Sequence, residues 1–161
     1  IETLLKEERD MIVGAYNRDV INKKQNWAIA DGEKYYNLHY KGEDNKEKYN
    51  SKFVYFLQKK FPSSSILLSG NFLYPKNGYM GWHTNADTPY LRCYITYSEN
   101  GDSYFKYRNP ITKEIITDKD NLGWTLRYFK ISNKIDELLW HCVYSNTTRI
   151  SMGYRIINNL K

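Results

Sequence analysis

Only two of the 161 residues are cysteine, and Cys93 and Cys142 each stand alone within apolar, strand-like text. That usage excludes a disulfide framework and a cysteine-rich zinc site, and it fits a reducing compartment. Long apolar runs are missing as well. A stretch such as Ser65–Ser69, with its Ile-Leu-Leu core, falls far short of the ~18 residues a membrane helix requires. No charged start followed by an apolar core and a small-residue cleavage site is present, so a cytoplasmic location is expected. The chain opens at Ile1 rather than Met, which leaves room for an upstream piece. Charge of one sign is not concentrated anywhere. The 24 basic and 18 acidic residues give a net +6 without a long basic run, a solvated surface with a lean toward anionic partners such as phosphate or nucleic acid. With no repeat, low-complexity tract or linker, residues 1–161 are expected to form one domain.

What the chain has in excess is tyrosine. Sixteen Tyr with six Phe and four Trp raise aromatics to 16 %. Tyrosine suits half-buried β-surfaces, so this is first a strand signal and only second a supply of stacking platforms. In order along the chain, Leu4, Leu5, Met11, Ile12, Ala15 and Tyr16 recur at helical spacing and predict an amphipathic helix over 2–20. Asn22–Tyr40 alternates in part, with Asp31-Gly32 placed to close a hairpin. Asp44 and Glu47 resemble a capping box ahead of Tyr49, Phe53, Phe56 and Leu57, predicting a second helix over Asn45–Lys60 that ends at Pro62.

From Ser65 the text changes character. Ile66–Tyr74, Tyr90–Ser98, Ser103–Arg108, Glu114–Thr117, Trp124–Ile131, Leu138–Tyr144 and Thr148–Ile157 are short and rich in aromatic or β-branched residues, with Asn-, Gly- and Pro-containing turn signals between them. Helices first and strands afterwards give an α+β class that is mainly β. The expected architecture is a jelly roll, with 1–62 as a helical flank and 63–161 as the β core.

Of the three histidines, His39 falls in the poorly patterned region and reads as a surface or packing residue. His83 and His141 differ, because each directly follows a tryptophan in or at the end of a predicted strand. Side chains at i and i+2 of a strand share a face, so His83 and Asn85 can meet one metal while His141 arrives from another strand. Two imidazoles and one oxygen on one face leave open positions suited to Fe(II) oxygen chemistry. Arg149 lies eight residues beyond His141, with Ser151 on the same strand face and Arg155 an even count further on. A planar guanidinium fork and a hydroxyl suit a carboxylate. A buried arginine without an internal partner would imply a bound anion.

These residues together resemble the Fe(II)/2-oxoglutarate-dependent oxygenase superfamily. The likeness rests on His83-Thr84-Asn85 as the His-x-Asp/Glu element, His141 as the distal histidine and Arg149-Ile150-Ser151 as the Arg-x-Ser clamp, in that order over roughly residues 65–157. Tyr74, nine residues before His83, and the Arg149/Arg155 step are similar to the nucleic-acid dealkylase branch, and Gly101–Phe105 and Gly123 sit where the superfamily places a glycine turn and a strand-opening glycine. The overall texture is similar to small oxygenases of tailed phages, which would place the protein in a host cytoplasm.

The resemblance implies a double-stranded β-helix with two N-terminal flanking helices. It implies Fe(II) on His83, Asn85 and His141, with Asp87 as the alternative to Asn85 because the family places a carboxylate there. A third arrangement lets water or halide complete the shell. It further implies 2-oxoglutarate held by Tyr74, Arg149, Ser151 and Arg155, O2 as oxidant, and hydroxylation or dealkylation of a substrate that the sequence does not name, nucleic acid among the options, with release of succinate and CO2. Trp82, Trp140, Tyr79 and Tyr90 flank the expected mouth. The rival expectation is a jelly-roll module that binds nucleic acid or protein without chemistry.

Overall fold

The structure, a computed structural model, describes residues 32–37 and 43–158. The helix expected over 2–20, most of the Asn22–Tyr40 segment and His39 lie outside what is described, as do the side chains of the Asp44/Glu47 capping box. Two short strands, β1 (Glu33–Lys34) and β2 (Tyr36–Asn37), precede helix α1 (Glu43–Lys60). They follow Gly32, whose φ of 96° is a glycine conformation, and they enter different sheets. The remaining strands are β3 (Ser64–Tyr74), β4 (Gly78–His83), β5 (Leu91–Ser98), β6 (Ser103–Arg108), β7 (Ile115–Lys119), β8 (Gly123–Lys130), β9 (His141–Ser145) and β10 (Arg149–Asn158).

These strands form two five-stranded antiparallel sheets, ordered β1-β4-β9-β6-β7 and β2-β3-β10-β5-β8. From β3 onward successive strands alternate between the two sheets, apart from the β6/β7 hairpin within one sheet, and the first strand of the core, β3, lies beside the last, β10. That order is the double-stranded β-helix, a jelly roll, as expected from the run of short aromatic strands. The segment expected as strand over Leu138–Tyr144 begins only at His141, because a 3-10 turn over Ile135–Glu137 and an extended Leu138–Trp140 lead into it.

Strand alternation distributes the side chains over three layers. On the outer face of the β5/β10 sheet, Cys93, Ile95, Met152, Tyr154 and Ile156 close against Leu57 of α1, with Phe53, Val54 and Phe61 around them. Burial in that apolar layer pushes the Cys93 thiol up to about 12, so it behaves as a small hydrophobe. Between the sheets, Tyr74, Phe105 and Val143 form the inner core with Phe72, Met80, Tyr94 and Phe129. On the outer face of the β4/β9 sheet, Trp82, Trp140, Leu138 and Cys142 pack together. The two tryptophans expected near the mouth are therefore buried in a layer of their own, Trp82 completely. Tyr79 is buried too, and Tyr90 is 40 % exposed.

Candidate active site

The two histidines meet. His83 at the end of β4 and His141 at the start of β9 are directly paired residues of neighbouring strands, with ring centroids 4.2 Å apart. The β4/β9 pairing slips between Met80 and His83, which lets Trp82 face out while His83 turns inward. Each imidazole is fixed in the same way. His83 Nδ1 donates to the Gly81 carbonyl at 2.8 Å, and His141 Nδ1 donates to the Leu139 carbonyl at 2.9 Å. A proton committed to Nδ1 leaves Nε2 of both rings as a lone-pair donor. Burial and the neighbouring His83 hold the His141 pKa well below its ordinary value, so this ring is neutral, as a metal ligand must be.

Asn85 reaches the pair by a route the strand parity did not foresee. β4 stops at His83, and Asn85 sits beyond it in the left-handed region at φ 53°, a conformation asparagine tolerates, in a turn closed by Thr88 N–H donating to the Asn85 carbonyl at 3.0 Å. Its amide Nδ2 donates to His141 Nε2 at 3.2 Å, and the side chain also hydrogen-bonds Tyr94. Asp87 is exposed, on the same loop. Among the described residues no three His, Cys, Asp or Glu side chains come together as a metal-binding group. The donor set at this point is thus two imidazoles and one carboxamide.

Arg149, Ser151 and Arg155 lie on the inward face of β10, and Arg149 is directly paired with Tyr74 of β3 on one side and Ser98 of β5 on the other. Its guanidinium lies 5.2 Å from the Tyr74 ring, and burial raises the Tyr74 phenol pKa despite that cation. Arg149 is fully buried, yet it does not lack an internal anion. Its Nε donates to Asp120 Oδ2 at 2.8 Å, and Nη2 reaches Thr96 Oγ1 at 3.3 Å. This corrects the inference that burial of Arg149 requires a bound ligand. Nη1, however, is buried with no hydrogen-bond partner.

Asp120 is the residue that sequence reasoning passed over. It precedes β8 in the Asp120–Leu122 turn and binds Arg149, Arg127 and the Ser103 hydroxyl at once. Burial alone would raise its pKa, but the two arginines and the hydroxyl outweigh burial and hold its carboxyl below the usual range. Arg127 completes the network by donating to Asp118 at 2.6 Å. The sequence signal is an Asp-Lys-Asp run entering a turn, followed by a strand with an inward-facing arginine, which no motif distinguishes from a surface pair.

A cavity of about 30 Å3 lies between the sheets, lined by Tyr74, His83, Tyr94, His141, Ser151 and Phe72 among others. It joins the histidine pair to the Tyr74/Ser151 end of β10, and its size holds one or two waters.

No protein-family model matches the sequence, and no curated protein matches it. Among solved structures the chain is similar to the viral collagen prolyl hydroxylase vCPH of Paramecium bursaria Chlorella virus-1 in its 2OG complex, at 15 % identity, 92 % coverage of this chain, 88 % of the other and a TM-score of 0.47. It is also similar to a Pseudomonas putida prolyl-4-hydroxylase, at 12 % identity, 96 % and 84 % coverage and a TM-score of 0.48. A third likeness is to Drosophila melanogaster CENP-C bound to CAL1, at 9 % identity, 70 % and 99 % coverage and a TM-score of 0.38. All three are likenesses of fold.

Proposed function

We propose that the protein is an Fe(II)- and 2-oxoglutarate-dependent oxygenase acting on C–H bonds of a substrate still to be named. The observation that carries this reading is the His83/His141 pair, with ring centroids 4.2 Å apart and both Nδ1 protons given to backbone carbonyls, so that each ring's donor atom toward a metal would be Nε2. Iron, when bound, supplies the activation of dioxygen, with 2-oxoglutarate as its reductant. His83 and His141 would hold it. Asn85 would join them after a half-turn of its amide, which exchanges the Nδ2–H now facing His141 for the carbonyl oxygen. Because that donor is neutral, the first anionic ligand would come from the co-substrate itself.

The chain's further tasks are binding and exclusion of water. Arg149 Nη1, buried and unpartnered, is the donor that fits the far carboxylate of 2-oxoglutarate, with Ser151 on the same strand face and Tyr74 beside it. Asp120 grips the Nε edge and leaves the Nη1 end of the fork to the co-substrate. Admitting the co-substrate requires Phe72, Met80 and Tyr94 to make room, since the space between them is small. Once filled, the inner core keeps the pocket dry.

A second reading, a jelly-roll module that binds nucleic acid or protein without chemistry, draws support from Asn85 capping His141 and from Asp120 already pairing Arg149. Anaerobic titration of Fe(II) and 2-oxoglutarate separates the two. The oxygenase reading expects the iron-to-oxoglutarate charge-transfer band. Its absence in well-folded protein, together with salt-dependent nucleic-acid binding by the metal-free form, would decide for the second reading.

A further inference from the structure

The other end of the inward β5/β10 face holds two arginines that, among the described residues, are in no ion pair. Arg92 of β5 and Arg155 of β10 are directly paired across the strands, in the register that also pairs Tyr94 with Gly153 and Thr96 with Ser151. Like charges directly opposite one another in an antiparallel pair destabilise it. Arg92 is only 4 % exposed. Its Nη2 donates to the carbonyl and hydroxyl of Thr88, which are neutral groups, and its Nε is buried with no partner. The Nε of Arg155 is buried and unpartnered as well. Among the described residues neither forms an ion pair, whereas Arg127 and Arg149 both do.

Burial pushes the Arg92 pKa down and Arg155 adds to the push, opposed by Tyr94 and by the exposed Asp87. The fold thus carries a desolvated, mutually repelling pair, a cost that a bound anion would offset. The pair stands beside the histidines. Arg92 is one of the charges that depress His141, and Phe129, its neighbour on β8, lies 5.6 Å ring to ring from His141.

We propose that Arg92 and Arg155 form a docking site for an oxyanion of the substrate, phosphate above carboxylate, at the mouth of the β-helix next to His83 and His141. Two guanidinium groups match a phosphate's charge and its several acceptor oxygens better than a single carboxylate's. The position differs from that of the co-substrate end, because six residues of strand separate Arg155 from Arg149, roughly 20 Å at the usual rise. As a statement about substrate the inference rests on the oxygenase reading, but the anion site itself can be tested in metal-free protein.

Thermal unfolding of the metal-free chain is followed in chloride with added inorganic phosphate or acetate at matched ionic strength, for wild type, Arg92→Met and Arg155→Met. Phosphate should raise the wild-type Tm, by about 4 °C at ten times its Kd and then logarithmically with concentration. Acetate should give less than half of that. Both variants should lose the phosphate response, and Arg92→Met should be no less stable than wild type in chloride, since the opposed charges are gone. In the presence of Mn(II), 2-oxoglutarate and phosphate should stabilise additively. No phosphate response in wild type, or a response that either variant keeps at the wild-type size, overturns the proposal. So does competition between phosphate and 2-oxoglutarate, which would return Arg155 to the co-substrate. Phosphate binding that needs both arginines, in a protein that forms no charge-transfer band, would leave the anion site standing and remove the oxygenase reading.

Discussion

The inward face of the β5/β10 sheet presents arginines at both ends, and the two ends are built on opposite principles. At one, Arg149 and Arg127 converge on Asp120, which also takes the Ser103 hydroxyl; every charge has a partner and only Arg149 Nη1 is left over. At the other, Arg92 and Arg155 face each other with no ion pair among the described residues, Arg92 bonded only to the neutral Thr88, and two Nε groups without a partner. The same residue type, buried at Arg149, Arg127 and Arg92 and half-buried at Arg155, is structural where the chain provides its own carboxylate and ligand-seeking where it does not. Burial of an arginine alone therefore says little about function. The count of unsatisfied donors says more.

The comparison breaks most sharply at Asp120. Replacing it by Asn removes the anion shared by two buried cations and is expected to cost about 3–5 kcal/mol in denaturant unfolding. A cost below about 1 kcal/mol would mean that the arginines find other partners and that the closed end is not held by charge. The acid limb offers a check on the same network. The folded-state pKa of Asp120 is depressed, so its stabilisation is present above its unfolded pKa and is lost as pH falls through the lower folded value. Wild type should lose stability below roughly pH 4 more steeply than Asp120→Asn. Parallel curves would count against the assignment.

Arg149→Lys probes the one free donor of the closed end. A lysine keeps the charge near Asp120 but has no fork, so 2-oxoglutarate affinity should fall about 10–100-fold, the worth of a charged hydrogen bond, while Mn(II) affinity in its absence stays unchanged. Equal loss of both would make Arg149 purely structural.

The parts legible in the sequence are those set by local pattern. Short aromatic strands between Asn, Gly and Pro turns read as a jelly roll, and Phe53, Phe56 and Leu57 at helical spacing read as the helix that covers it. His83, His141 and the Tyr74/Arg149/Ser151 grouping were also within reach, because alternation along a strand fixes which residues share a face. What escaped depends on pairing between distant strands. Asp120 meets Arg149 from 29 residues away, and Arg92 meets Arg155 only through the β5/β10 register, which no spacing within either strand announces. The tryptophans misled for a related reason. A slip in the β4/β9 pairing lets Trp82 face outward while the next residue, His83, faces in.

The smallest expected effect concerns the loop between the two ends. Asn85 places an amide against His141 Nε2 where a carboxylate would complete a two-histidine, one-acid face. Asn85→Asp adds the missing charge without changing the shape, and aspartate tolerates the φ of 53° as asparagine does. Divalent metal should then bind about tenfold tighter, roughly 1.4 kcal/mol, as read by Mn(II) titration. The gain should grow with pH until the new carboxylate and His141 have both lost their protons, because a carboxylate beside the ring favours its protonated form. If metal affinity does not move while the variant stays folded, position 85 does not face the metal. The histidine pair would then hold its ligand from two directions only, and the anion seated by Arg92 and Arg155 would become the main binding determinant of this mouth.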